Sequence, residues 1–161
     1  MEELLTYRQL LLERYAAIVE DLAVAAESIP ESARHQALAG MSWSVHHVLA
    51  HLRASEERAF LKPMQRIVSE KDPLIDRFDA SQWMEKHYRP DEPLEEIQAG
   101  YAGLRRMQME LIINLPADGW NRTGYHPTWG RRTLQWWLEH SLAHAEAHLR
   151  QFNRRSSDDL I

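Results

Sequence analysis

Three long stretches of the chain place apolar residues at intervals of three and four, which is the period of an amphipathic α-helix. They cover residues 4–27, 94–115 and 134–154, and a further stretch of the same kind begins near residue 44. No convincing strand pattern accompanies them. Amphipathic helices bury their apolar faces against one another. The sequence therefore predicts an all-α protein, a four-helix bundle.

The second helix and the connections carry the irregular features. Ser42 or Ser44 can cap the start of this helix, and Pro63 lies inside its apolar pattern, where we expect a kink or a break. A short helix is predicted at residues 79–87. The connection between the third and fourth helices is long, and we interpret residues 119–132 as a loop.

Length and composition limit the class of protein. A chain of 161 residues suits one domain, at residues 1–155, followed by an expected disordered tail at 156–161. Because there are no cysteines, any metal must be held by nitrogen and oxygen. The net charge of -5 argues against nucleic acid as a partner. No apolar run reaches the ~20 residues of a membrane span and no signal peptide is evident, so we expect a cytoplasmic protein.

The fourth helix carries three histidines at intervals of four residues, His140, His144 and His148. Residues four apart lie on one helix face, about one turn from each other, so two such imidazoles can reach one metal ion. On an ideal helix His148 lies at the edge of the apolar face, and His144 and then His140 each lie about 40° further out. His144 and His148 are therefore better placed than His140 to face the interior.

The second helix repeats this spacing with His47 and His51. His51 lies about 40° nearer the apolar stripe than His47, and His46 is predicted on the opposite, solvated side. We therefore predict a three-histidine metal site formed by His51, His144 and His148. The alternative is that these are ordinary packed or exposed histidines, since one such pair often arises by chance. Two pairs on separate helices favour the metal site.

Three imidazole ligands with an open position are typical of catalytic zinc sites, and imidazole also suits nickel, copper and iron. We expect a divalent transition metal, above all zinc or nickel. Such an ion lowers the pKa of bound water and can activate a substrate thiol, which would supply a nucleophile near neutral pH.

Three sets of residues form motifs in order along most of the chain: Trp43-Ser44-Val45 leading to His51-Leu52, His126-Pro127 with Gly130 and Thr133-Leu134, and His144-x3-His148-Leu149-x-Gln151. These motifs resemble those of the DinB-like superfamily and, within it, the YfiT-like branch related to bacillithiol S-transferases. The resemblance implies a four-helix bundle, often dimeric, with a divalent metal held by three histidines. Carried over by motif, the ligands are His51, His144 and His148.

Two positions depart from the pattern of the related S-transferases. Those proteins tend to have Trp-His-Gly-x-His-His in the fourth helix, where this chain has Ala143-His144-Ala145-Glu146-Ala147-His148. An aspartate that is common three residues after the second-helix ligand is Ala54 here. The resemblance thus implies a superfamily of thiol transferases, thiol-dependent isomerases and hydrolases, and it does not select among them.

Residues of the loop before the fourth helix have a functional and a plainer interpretation. His126 is a candidate general base or substrate contact, or else a turn residue held by Pro127. Trp129, Arg131 and Arg132 form a candidate substrate-contacting loop, or else a packed tryptophan with solvated arginines.

Residues on the helices also have two interpretations. His47 and His140 are candidate partners of ligands one turn away, or else lie on solvated faces. Glu146 points away from the ligands and is predicted at the surface. Trp136 and Trp137 are predicted in the core or at a dimer interface.

Three functional hypotheses follow from these residues. The first is a metal-dependent thiol S-transferase or hydrolase that acts on a small molecule, with a low-molecular-weight thiol as one candidate. The second is a non-catalytic metal-binding stress-response bundle that works as a dimer or through a protein partner. The third is a metal-free structural bundle. We expect a homodimer, and neither nucleic acid nor membrane as a partner.

Overall fold

The computed structural model describes the backbone of residues 1–158 and the side chains of residues 1–154. Four long helical segments pack into a bundle, which confirms the predicted fold class. The elements in chain order are α1 (Glu2–Glu27), α2 (Val45–Ser55), a π-helical turn (Glu56–Leu61), α3 (Lys62–Ser69), α4 (Ala80–His87), α5 (Leu94–Ile113), β1 (Thr123–His126), β2 (Gly130–Thr133) and α6 (Leu134–Asp158). Short 3-10 turns lie at Glu31–Ala33 and Ala117–Asn121.

The bundle core forms where the helical period predicts it. On α1 the large buried apolar residues are Leu11, Tyr15, Ile18 and Leu22, at intervals of four and three, and this face packs against α5 and α6. The α2 helix packs mainly against α5. Trp137 of α6 is fully buried, as one of its two interpretations predicts. None of the described helices is long and apolar enough to cross a membrane.

The end of α6 lies beyond the predicted one. The helix continues to Asp158, four residues past the expected end near residue 154. Side chains from residue 155 onward and the backbone of 159–161 lie outside the described residues. The predicted tail at residues 156–161 therefore remains a prediction.

Pro63 does not break the second helix. The chain is helical without interruption from α2 through α3, and the irregularity is the π-helical turn that precedes Pro63. A proline inside an α-helix lacks a donor and its ring clashes with the carbonyl four residues earlier. A π-helical turn pairs residues five apart, so it accommodates the proline without ending the helix.

Residues 119–132 are not simply a loop, as the sequence had suggested. They contain the antiparallel hairpin of β1 and β2, in which His126 pairs with Gly130. Gly130 has a φ of 71°, in the left-handed region that glycine adopts without steric cost. The backbone of Tyr125 in β1 also exchanges hydrogen bonds with two residues outside the hairpin, Pro73 and Ile75. Two four-residue strands are too short to show an alternating pattern, so sequence periodicity could not reveal them.

Candidate metal centre

The structure brings together the Nε2 atoms of His51 on α2 and of His144 and His148 on α6. The Nε2 atom of His144 lies 3.1 Å from that of His51 and 3.3 Å from that of His148. One ligand atom from each of the three residues lies within 4.8 Å of the other two. Two nitrogens on a tetrahedral zinc ion, with bonds of roughly 2.0 Å, would lie about 3.3 Å apart. The three imidazoles therefore have a spacing that suits one divalent ion.

A side-chain cap at the start of α2 fixes the position of the helix that carries His51. The Ser44 hydroxyl accepts a hydrogen bond from the backbone N–H of His47 at 3.2 Å, which caps α2 and sets its register. His51 and His148 are only 8% and 9% exposed, whereas His144 is half-buried. The cluster is therefore largely shielded from solvent, and the Nδ1 atom of His144 is itself buried.

A glutamine orients one of the rings. The Nδ1–H of His148 donates to Oε1 of Gln151 at 2.7 Å, since an amide oxygen can only accept. This bond leaves the Nε2 lone pair of His148 free to bind an ion. Among the described residues, the Nδ1 atoms of His51 and His144 are buried without a hydrogen-bond partner.

Burial keeps all three rings neutral near pH 7. Desolvation, with a smaller contribution from the neighbouring imidazoles, lowers the pKa of His51 to about 4 and that of His144 to about 3. Desolvation also lowers the pKa of His148, although its bond to Gln151 opposes the shift. A neutral imidazole is the form that binds a metal, so protons compete weakly for this site.

Aromatic rings border the cluster on two sides. The Trp43 ring lies 5.0 Å from the His51 ring, and the Phe60 ring lies 5.8 Å from the His144 ring. Apolar walls of this kind reduce the local dielectric constant, which strengthens electrostatic interactions within the site.

His47 and His140 are not part of the three-histidine group, and both rings are packed against aromatic side chains. His47 is stacked between Trp43 at 4.5 Å and Tyr88 at 4.0 Å, and His140 is stacked on Trp136 at 4.6 Å. Among the described residues, neither ring makes a hydrogen bond to a ligand imidazole. Their contribution to the centre is therefore packing.

The prediction that His46 faces solvent is wrong. Its side chain is only 2% exposed, with Nδ1 at 2.8 Å from the Tyr88 hydroxyl and Nε2 at 2.7 Å from the backbone oxygen of Glu92. The α4 helix and the segment after it cover this face of α2. A helical wheel treats a helix in isolation and cannot reveal an element that covers its polar side.

His126 holds the hairpin turn. It is 5% exposed, and its Nδ1 atom accepts backbone N–H bonds from Thr128 at 3.1 Å and from Trp129 at 3.3 Å. Its ring stacks on Trp129 at 4.1 Å, and burial lowers its pKa. These contacts agree with the interpretation as a turn residue, and His126 is not part of the three-histidine group.

The arginines of the hairpin are engaged with the protein. Arg131 forms an ion pair with Asp72, and the Arg132 guanidinium lies 5.3 Å from the centre of the Trp136 ring. On α6, Glu146 accepts a bond from Arg14 at 2.8 Å. Arg131, Arg132 and Glu146 therefore each have a partner within the protein.

The sequence interpretation missed a second polar cluster, centred on Glu56, which is fully buried in the π-helical turn. An oxygen of its carboxylate lies 3.2 Å from Nη2 of Arg105 and 2.9 Å from the Ser141 hydroxyl. Tyr15 and Gln108 complete this Glu56 cluster, so all four long segments of the bundle contribute to it. One signal was available: Arg105 and Gln108 continue the buried stripe of α5.

Comparison with known proteins gives one family and one fold. The family model of the DinB superfamily matches residues 11–152. The structure of YfiT from Bacillus subtilis, described as a probable metal-dependent hydrolase with an unusual four-helix bundle topology, superposes with a TM-score of 0.77. The two are 22% identical over 92% of this chain and 87% of that one, and this similarity establishes the fold. No curated protein matches the chain.

Proposed function

The chain belongs to the DinB superfamily, and on that premise we propose that it is a metal-dependent hydrolase whose ion is held by His51, His144 and His148. One observation carries the proposal: three neutral imidazoles converge, and within the described residues the group has no fourth ligand. Structural zinc sites are usually closed by four protein ligands, whereas catalytic sites use three and keep a position open.

When bound, such an ion supplies Lewis acidity and lowers the pKa of a coordinated water or thiol. The residues of the chain supply orientation and shelter. Gln151 directs the Nε2 lone pair of His148 toward the other two ligands. Trp43 and Phe60 limit the access of bulk water on two sides.

Thiol S-transfer is the second candidate activity. Hydrolysis comes first because YfiT, which shares the fold, is described as a probable hydrolase. The support for S-transfer is that the chain keeps the three histidines that the resemblance to the S-transferase-related branch implies, although the residues around His144 differ, and that an open position on the ion also suits a thiolate. In both cases the substrate is a small molecule, because the site lies inside one bundle.

The first test is elemental analysis of the untagged protein beside a triple variant, His51→Ala, His144→Ala and His148→Ala. We expect about one equivalent of a divalent transition metal in the wild type and none in the variant. The metal-loaded protein is then assayed with activated esters for hydrolysis and with an electrophile plus a thiol for transfer. Failure to retain or take up zinc or nickel would sink the proposal. Metal binding without activity in either assay would support the non-catalytic alternative.

We also propose that the protein is a cytoplasmic homodimer. The support for the dimer is a pair of exposed apolar residues on one face of α1, Tyr7 and Leu10, at 46% and 57% exposed. Light scattering in solution tests the oligomeric state, and a Leu10→Glu variant is expected to shift a dimer toward monomer.

A further inference from the structure

A cationic cleft lies between the second helical segment and the chain that follows α3. Four basic side chains, those of Arg58, Lys62, Arg66 and Arg77, line a cavity of about 240 Å³. Asp76 is the one acidic residue in its lining. Four cations around one cavity contrast with the net charge of the chain, which is -5. We call this cavity the cationic cleft.

Two of the four cations are already paired. Arg66 donates to both carboxylate oxygens of Glu70 at 2.7 and 2.8 Å. The Lys62 ammonium lies 3.2 Å from a carboxylate oxygen of Glu57. These pairs are exposed to solvent and hold the rim of the cleft, so its binding capacity depends on the other two cations.

Arg58 and Arg77 have no carboxylate within 4.0 Å among the residues that the structure describes. The Arg58 guanidinium lies over the Trp83 ring at 3.5 Å, and its Nε atom is buried without a hydrogen-bond acceptor. Stacking holds the plane of the guanidinium while its N–H groups point outward in that plane. The side chain is therefore held in position before any ligand binds, which reduces the entropic cost of binding.

The two unpaired arginines reach the cleft from different elements. Arg58 belongs to the π-helical turn and Arg77 to the segment between α3 and α4. Guanidinium groups bind phosphate and carboxylate through paired, charge-assisted hydrogen bonds. Two such groups on separate walls suit a small anionic group between them.

A second cavity, of about 230 Å³, adjoins the cationic cleft. Both are lined by Arg77, and the second is also lined by Ala59, His126 and Trp129. The Trp129 ring lies 4.7 Å from the ring of His140, one helical turn before His144. The second cavity therefore lies beside the rings that flank the three-histidine cluster.

We propose that the cationic cleft binds the anionic group of the substrate, a phosphate or a carboxylate, while the body of the substrate occupies the second cavity. This inference rests on the proposed function, because it assigns a substrate class to the same centre. Each cavity alone is smaller than the ~300–1,000 Å³ of typical small-molecule sites, and together they fall within that range. A small-molecule anion thus fits the pair.

The test is a calorimetric titration of the untagged full-length protein with inorganic phosphate and, separately, with succinate. Ionic strength is held constant with chloride, since salt screens exposed charges. We expect saturable binding that weakens about tenfold in Arg58→Gln and in Arg77→Gln, the loss of one charge-assisted contact. Arg106→Gln, which removes an exposed arginine of α5, is the matched control and should leave the affinity unchanged.

The exposed Arg77 keeps the test informative if the loss of stacking in Arg58→Gln affects folding. Whichever of phosphate and succinate binds more tightly to the wild-type protein identifies the anionic group, and saturable binding of either one supports the cleft. No saturable binding of either anion, or equal affinities in wild type and both cleft variants, would overturn the inference.

The triple histidine variant separates this inference from the proposed function. We expect it to lose the metal and to keep the wild-type affinity for phosphate. Loss of phosphate binding in that variant would place the anion on the metal centre, which overturns the cleft and leaves the proposed function intact. A wild-type protein that binds phosphate but no metal would instead refute the proposed function.

Discussion

The three-histidine cluster and the Glu56 cluster share two helical segments, the second and the fourth. Glu56 lies five residues after His51, and Ser141 lies three residues before His144. The Glu56 carboxylate finds its partners inside the chain, in Arg105 and Ser141. The three histidines instead point the same atom, Nε2, toward one another. The Nε2 atom of His144 lies 3.1 Å from that of His51 and 3.3 Å from that of His148.

This difference separates a structural polar cluster from a binding one. Buried polar groups are costly unless they are paired, and a bundle can pair them within itself or leave them for a ligand. Hydrogen bonds and an ion pair of the Glu56 cluster connect α1, α5 and α6 to the π-helical turn. The histidine cluster instead brings three nitrogen acceptors to one point, an arrangement that a bound cation would stabilise.

The largest expected effect comes from breaking the Glu56 cluster. Glu56→Gln leaves the buried guanidinium of Arg105 without its counter-charge, so we expect a loss of about 3–5 kcal/mol in the free energy of unfolding. Urea denaturation in the presence of a chelator measures it. The double variant Glu56→Leu with Arg105→Met should recover most of that loss, since an apolar pair replaces the ion pair. A loss below about 1 kcal/mol in Glu56→Gln would show that the charges are not coupled.

The histidine cluster should make the metal-free protein sensitive to acid. The pKa values of His51 and His144 fall from 6.5 to about 4 and about 3 on folding. Between these values the unfolded chain binds protons that the folded chain does not. Stability is therefore complete above pH 6.5 and declines as the pH falls toward 4, by about 3 kcal/mol for His51 alone.

Urea denaturation at a series of pH values, with metal removed, measures this decline. The control is the double variant His51→Ala with His144→Ala, whose stability should decline less steeply over the same range. Equal slopes for the wild type and the double variant would contradict the assignment of the acid sensitivity to these two rings.

Metal should stabilise only the protein with an intact histidine cluster. At a free metal concentration 100-fold above Kd, we expect the free energy of unfolding to rise by about 2.7 kcal/mol. His144→Ala should abolish this increment, whereas His140→Ala, one turn away, should retain it. Thermal denaturation of both variants, with and without added zinc, measures this increase. An equal increase in the free energy of unfolding for both variants would remove His144 from the ligand set.

The smallest expected effect concerns the residue that orients His148. Gln151→Ala removes the acceptor of the Nδ1–H bond, so we expect about tenfold weaker metal binding with the ligands unchanged. Gln151→Glu keeps an oxygen at the same place and should preserve the affinity. Competition with a chromogenic chelator measures the metal affinity of both variants. An unchanged affinity in Gln151→Ala would show that the bond between His148 and Gln151 does not contribute to metal binding.

The helical period in the sequence was sufficient for the bundle and for the choice of His51, His144 and His148 as the set that converges. It failed where a second element decides the environment of a residue. His46 faces away from the bundle core and is still buried, because α4 covers it. The four-residue strands were missed because they are too short to show an alternating pattern, and β1 also pairs with residues 73–75, a contact that local sequence does not encode.

The sequence by itself determined which faces of the helices are apolar and which histidines lie at their edges, because the helical repeat converts spacing along the chain into direction. Only the tertiary structure decided that a buried glutamate and arginine pair across the bundle, and that four basic side chains surround one cavity. Those groupings depend on how helices cross and where loops return. Such long-range contacts join residues whose separation along the chain carries no periodic signal.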